Sequence, residues 1–238
     1  MTWSILARDA EGRLGVAIAS RFFAVGALCV HIRRGVGALS TQALMNPLYG
    51  PAGLALLSDG KSAADTIAAL TAADAGSAQR QLHVLPASGR AAAHTGAGCI
   101  EWCGHQVFDD FSVAGNMLAG PEVLAATARA YSDAHALPMA ERLLAALAAG
   151  EAAGGDKRGK QAAALRVYGN EDYPEIDLRV DDHEAPIMEL QRLYQKSLER
   201  YQPFIACLAG RNDPVGLTDR TEIEAHIAAF HAAREGVA

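Results

Sequence analysis

The chain is short of cysteine, of aromatic residues and of long apolar runs, and it has no excess of positive charge. Its four cysteines, Cys29, Cys99, Cys103 and Cys207, are too few and too scattered for a disulfide framework, so free thiols are expected. The longest uncharged apolar stretch near the start, residues 24–30, falls far short of a membrane span. Arg8, Asp9, Glu11 and Arg13 stand where a secretory signal needs its apolar run, which points to a cytoplasmic protein without membrane association. Lysine and arginine number 21 against 27 acidic residues, a formal charge of −6, and that balance argues against a nucleic-acid partner, which requires a basic face. Neither a repeat of solenoid period nor a G-x-S-x-G nucleophile motif occurs. What is plentiful is apolar: 50% of the 238 residues are hydrophobic, ample for a real core and too many for a disordered chain.

The pattern along the chain alternates between strand pairs and helix pairs. Thr2–Arg8 alternates, Asp9 to Gly12 supplies turn chemistry, and residues 14–19 are a short apolar run of the kind found in a buried central strand. Residues 27–32 and 36–41 read as a second strand pair around Arg33, Arg34 and Gly35. Two helices are expected over residues 51–73, interrupted at Gly60, with Ser62 capping the second through its spacing to Asp65. Strands are expected at residues 81–86, 91–95 and 105–113. Helices then open at Pro121 and Pro138, the latter with Gly150 as its stop. Two further strands, Ala162–Tyr168 and Ile176–Val180, precede a helical tail whose apolar face is Ile187, Leu190, Leu193, Tyr194, Leu198 and Tyr201. Strands arriving in hairpins argue against a doubly wound parallel sheet. They suit an α+β, four-layer α/β/β/α sandwich of two antiparallel sheets flanked by helices. The expected division is a sandwich domain over residues 1–200 and a helical extension, residues 201–238, packed on it.

Several residues carry candidate chemistry. Met1 is followed by Thr2, small enough to permit removal of the initiator methionine. A terminal threonine holds nucleophile and base together, since its own α-amine, of pKa about 8, can take the hydroxyl proton. Met-Thr is also simply a common start. Ser40-Thr41-Gln42 ends a strand, where backbone N–H groups can face an oxyanion or merely enter a helix. Asn116, next to the Gly120-Pro121 helix start, offers either an oxyanion donor or a turn residue. In the loop after Gly154, the residues Asp156, Lys157 and Arg158 can engage the amine and carboxylate of a peptide-like ligand, or lie solvated. The Gly154, Gly159, Lys160 spacing nearly matches a P-loop, yet Gln161 stands where the magnesium-binding hydroxyl belongs. His94, Cys99, Cys103 and His105 fit no standard zinc spacing, and Asp181 to Glu184 reads best as a salt-bridged strand end, so neither metal nor cofactor is expected.

The segments Met1-Thr2-Trp3-Ser4-Ile5, Val16 to Gly26, Ser40 to Ala43 with Asn46-Pro47-Leu48-Tyr49-Gly50, Gly115 to Gly120, Gly154 to Gly159 and Asp177 to His183 together resemble the DUF1028 family, over about residues 1–200. That family is assigned to the N-terminal-nucleophile (Ntn) hydrolase superfamily, whose core is the same four-layer sandwich. The resemblance implies an amidohydrolase cleaving a small amide, such as an N-acyl amino acid or short peptide-like compound. Thr2, Ser20, Arg21 and Asn116 would be its catalytic set. Thr41, Gln42, Asn46, Tyr49, Asp156, Lys157 and Arg158 would contact substrate. In the proteasome-like branch, strand two carries an Asp shortly before an Arg, and strand three carries a Lys. Here Ala19-Ser20-Arg21 lacks the acid, and His31, Arg33 and Arg34 stand without a Lys. That departure keeps open a non-catalytic ligand-binding or assembly protein on the same fold. The apolar tail helix is compatible with a homodimer.

Overall fold

The computed structural model describes residues 2–235. Met1, whose removal the nucleophile reading requires, lies outside the described residues. The chain divides into two compact units, Met1–Leu190 and Gln191–Ala238.

The first unit begins with β1 (Thr2–Arg8), β2 (Leu14–Ser20), the short helix α1 (Val25–Leu28), β3 (Val30–Arg33) and β4 (Gly37–Ala43). Helices α2 (Tyr49–Ser58) and α3 (Ala63–Ala72) follow, then β5 (Arg80–Pro86), β6 (Ala92–Thr95), β7 (Gly104–Val107) and β8 (Phe111–Asn116). The remainder is α4 (Glu122–Asp133), α5 (Met139–Ala152), β9 (Ala162–Tyr168), β10 (Ile176–Val180) and the first part of α6 (Pro186–Glu199). The strands make a six-stranded sheet of order β10-β9-β2-β1-β8-β7 and a four-stranded sheet of order β3-β4-β5-β6, with antiparallel neighbours throughout. Helices α4 and α5 lie on the outer face of the larger sheet, and α2 and α3 on that of the smaller. This is the α/β/β/α sandwich that the hairpin pattern predicts.

Local chemistry explains the borders. Ser62 caps α3 as expected, its hydroxyl accepting from the Asp65 amide at 3.1 Å. Gly150 does not stop its helix, because α5 continues to Ala152. A Cβ there would sit 2.4 Å from Thr127 Oγ1 and 2.7 Å from Trp3 Nε1, so glycine is required where α5 crosses α4 and the sheet. Residues 25–28 form a single helical turn rather than the start of a strand, and the strand begins at Val30. The strand region expected over 105–113 is a hairpin, β7 and β8.

Three apolar layers hold the sandwich. On the outer face of the smaller sheet, Leu39, Leu82 and Val84 pack with Leu57, Ile67 and Leu70 of α2 and α3. Between the sheets, Leu6, Leu14, Val16 and Ile18 meet Val30, Ala38 and Leu85. On the far side, a Cβ at Gly15 would fall within 2.8 Å of Leu143 and Met139, which marks how closely α5 lies on β2. None of the helices in the described residues is long and apolar enough to cross a membrane.

The second unit carries the rest of α6, then α7 (Tyr201–Ile205) and α8 (Arg220–Glu235). Arg200 pairs with Glu224 of α8, and His231 Nε2 donates to the Glu199 carbonyl at 2.9 Å. Ile187, Leu190, Tyr194 and Leu198 are the buried face of α6, whereas Tyr201 begins α7 and is exposed.

Candidate functional site

Thr2 opens β1, the strand at the centre of the larger sheet, with Ser20 of β2 and Asn116 of β8 as its two cross-strand partners. Directly opposed residues in antiparallel strands share a face, so all three side chains gather at one end of the inter-sheet space. The Thr2 and Ser20 hydroxyl oxygens lie 3.1 Å apart, and Thr2, Ser20 and Asn116 are all buried.

The next residue of the loop after β2, Arg21, donates its backbone N–H to Asp156 Oδ2 at 2.8 Å. Asp156 also receives the Arg158 backbone N–H at 2.8 Å and forms an ion pair with the Arg158 guanidinium at 3.2 Å. Arg21 reaches the Arg158 carbonyl at 3.3 Å. A Cβ on Gly159 (φ +109°) would sit 3.0 Å from that arginine, so the glycine both takes the turn and lets Arg21 pass. Lys157 donates to the Glu101 carbonyl at 2.7 Å, and Lys160 pairs with Glu151 at 2.8 Å. The Gly154–Lys160 segment follows a helix and precedes a strand, the reverse of a P-loop.

Behind Thr2 and Asn116 lies a polar interior between the sheets. Gln81 of β5 is its hub. Its Oε1 accepts from Gln42 Nε2 at 2.8 Å and from Asn116 Nδ2 at 3.0 Å. Its Nε2 faces the Gly115 carbonyl at 2.8 Å, Thr95 Oγ1 at 2.9 Å and the Gly104 carbonyl at 3.0 Å. Gln42 Oε1 accepts from Ser4 at 2.7 Å, and Ser4 Oγ lies 2.8 Å from His83 Nε2, whose Nδ1 is 2.9 Å from Ser112 Oγ. Since Ser4 donates to Gln42, it accepts from His83 Nε2–H, which leaves His83 Nδ1 to accept from Ser112. Burial, reinforced by nearby His105, pushes the His83 pKa down to about 3, so the ring stays neutral. Sequence reasoning did not single out Ser4 as part of a network, nor Gln81, His83 or Ser112 at all. The signal was polar residues at alternate positions of otherwise apolar strands, as in Ser40 and Gln42 or Gln81 and His83.

The other expected site residues sit elsewhere. The Thr41 backbone N–H donates to the Cys29 carbonyl at 3.0 Å, and its hydroxyl accepts from the Asn46 amide at 3.3 Å. That strand end does not enter a helix, since α2 begins only at Tyr49. Asn46 and Tyr49 both donate to Asp74 Oδ2, at 3.1 and 2.8 Å, alongside Arg80 Nε at 3.1 Å. These donors hold the Asp74 carboxyl well below the usual carboxylate range. Burial, with that hydrogen bond, pushes the Tyr49 hydroxyl up to about 12. His31 and Arg33 give nitrogens to the Leu28 and Leu54 carbonyls, at 3.0 and 2.7 Å. Among the described residues no three His, Cys, Asp or Glu side chains gather as a metal-binding group.

A cleft of about 400 Å³ adjoins this end of the sandwich, lined by Phe22, Ala43, Leu44, Gln79, Gly98, Cys99, Ile100, Asn116, Met117 and Arg158. Ala43 (φ 66°) and Met117 (φ 53°) both hold left-handed backbone without being glycine. Such conformations cost on the order of 1 kcal/mol each and gather at functional sites.

The fold and site are those of an α/β/β/α sandwich protein with a hydroxyl-bearing residue at the head of its central strand. The chain belongs to DUF1028, a family of unknown function, whose model matches residues 2–190. A crystal structure of protein SPO2555 from Silicibacter pomeroyi, also described under the DUF1028 family model, is similar at 34% identity, with a TM-score of 0.84 over 92% of this chain and 99% of that one. Anbu (ancestral beta-subunit) from Yersinia bercovieri is similar at 12% identity, with a TM-score of 0.41 over 82% of this chain and 94% of that one. Among curated proteins nothing matches.

Proposed function

We propose that this protein is an Ntn amidohydrolase cleaving a small amide, with Thr2 as nucleophile after removal of Met1. The observation that carries the reading is the position of Thr2. It heads the central strand, its hydroxyl 3.1 Å from Ser20 Oγ, and its cross-strand partner Asn116 lines the adjoining cleft. Once Met1 is gone, the Thr2 amine, of pKa about 8, takes the proton of its own hydroxyl, directly or through a water. Oγ1 attacks the amide carbonyl. Asn116 Nδ2 gives one hydrogen to Gln81, its only acceptor among the described residues, which leaves the other for the oxyanion. The proton passes to the leaving amine as the C–N bond breaks, and water then hydrolyses the acyl ester. Ser20 orients the nucleophile, and Arg158, clamped by Asp156, holds a substrate carboxylate.

One observation favours a second reading, a binding or assembly protein without catalysis. The residue facing Thr2 across β2 is a serine, and the nearby carboxylate of Asp156 is engaged by Arg158 and the Arg21 amide, so among the described residues no side-chain base is hydrogen-bonded to Thr2. Intact mass of protein made with its native N-terminus, before and after a β-lactone, separates the two. Loss of one methionine and a stoichiometric adduct on Thr2 support the hydrolase. Retained Met1, or full turnover in Thr2→Ala, overturns it.

A further inference from the structure

The cleft beside Asn116 carries an apolar rim that the catalytic reading leaves unused. Its rim carries large apolar side chains in solvent: Phe22 is 51% exposed, Leu44 65% and Ile100 58%. Met117 and Cys99 extend that surface inward, and Arg158 is the one charged residue among those lining the cleft. Among the lining residues there is no carboxylate, so the one charged contact the cleft offers suits an anionic group. The remaining polar lining, Gln79 and Asn116, is uncharged. The volume of about 400 Å³ falls in the range of small-molecule pockets, whereas an apolar surface covered by a second copy of the chain is normally broader and flatter.

We infer that the cleft selects an amphipathic monoanion, with an alkyl chain or ring along Phe22, Leu44, Ile100 and Met117 and one carboxylate at Arg158. This rests on the amidohydrolase reading and narrows it to amides bearing an apolar arm and a single carboxylate, such as N-acyl amino acids with an apolar acyl or side chain. Arg158 is suited to the task because Asp156 fixes its fork through Nε and Nη2, so little side-chain freedom is lost on binding. Neither a short polar amide nor a neutral apolar one satisfies both ends of the cleft.

Calorimetric titration of the full chain with octanoate, octan-1-ol and acetate tests this without requiring turnover. Octanoate binds one to one, and octanol and acetate bind at least about ten-fold more weakly, since each lacks one of the two contacts. Ile100→Asp, at a side chain 58% exposed, weakens octanoate by a similar factor, as does Arg158→Gln. Thr2→Ala binds octanoate as the parent does, which separates this inference from the nucleophile assignment. Octanoate binding that persists in a protein inert towards every amide sinks the hydrolase and spares the cleft. Octanol binding as well as octanoate, absence of octanoate binding, or Ile100→Asp changing the oligomeric state with octanoate affinity intact overturns the inference, the last in favour of a second copy on this surface.

Discussion

The apolar half of the inter-sheet space, built on Leu14, Val16, Ile18 and Leu85, and the polar half, built on Ser4, Gln42, Gln81 and His83, are lined by strands of the same two sheets. Both halves are buried to the same degree, since each of these residues is at most 1% exposed. They differ in what burial demands. An apolar contact is non-directional and tolerates small shifts of one sheet over the other. A buried amide must find every partner at a fixed distance or bear the cost of desolvation. In Gln81, a side chain of the smaller sheet binds the Gly115 carbonyl and the Asn116 amide of the larger. The polar half therefore sets the register between the sheets at the end where Thr2 and the cleft lie, while the apolar half supplies most of the cohesion. Asn46, just before α2, and Tyr49, its first residue, make the same point on a small scale, because both are held by Asp74 rather than offered to a ligand.

Three measurements sharpen this contrast. The largest effect is expected for Gln81→Leu, which strands Gln42 Nε2, the Asn116 amide and two backbone carbonyls in a dry interior. The loss should be on the order of 4 kcal/mol in urea unfolding, well above that of any single methyl deletion. A loss below about 1 kcal/mol would mean that water enters the polar half and the sheets are not locked there. The next effect is pH-dependent. His83 is near 3 when folded and near 6.5 when exposed, so unfolding takes up a proton on acidification. The stabilisation is fully present above about pH 6.5 and is lost as pH falls towards 3. It should be down by about 2 kcal/mol at pH 5, and His83→Gln should flatten that slope. An unchanged slope in the variant would assign the acid sensitivity to other groups. The smallest effect is expected in the apolar half, where Ile18→Val should cost about 1 kcal/mol, equally at pH 5 and pH 7.5.

Much of the fold is legible along the chain. The β1–β2 hairpin, the helix pair with its Ser62 cap, and the strands Ala162–Tyr168 and Ile176–Val180 all announce themselves through period and turn chemistry. Gly150 misleads because a glycine that ends a helix and one that lets two helices touch look alike until the neighbour is known. The site divides in the same way. Thr2, Ser20 and Asn116 sit on three strands that become adjacent only when β1 takes the central place in the larger sheet. Asp156 and Arg158 do carry a local signal, a charged loop between glycines. Their link to Arg21 is long-range, and no spacing encodes it.

Composition and pattern alone determined that this chain makes a layered α+β sandwich with free thiols and, among the described residues, no long apolar helix, because those properties follow from residue counts and from periods of 2 and 3.6 along the backbone. Which polar residues meet between the sheets, and whether a given Asn or Tyr faces a ligand or a buried carboxylate, was decided only in three dimensions. Hydrogen bonding and electrostatics act over a few ångströms of space, and the partners of Thr2, Gln81 and Asp156 come from strands and loops far away in sequence.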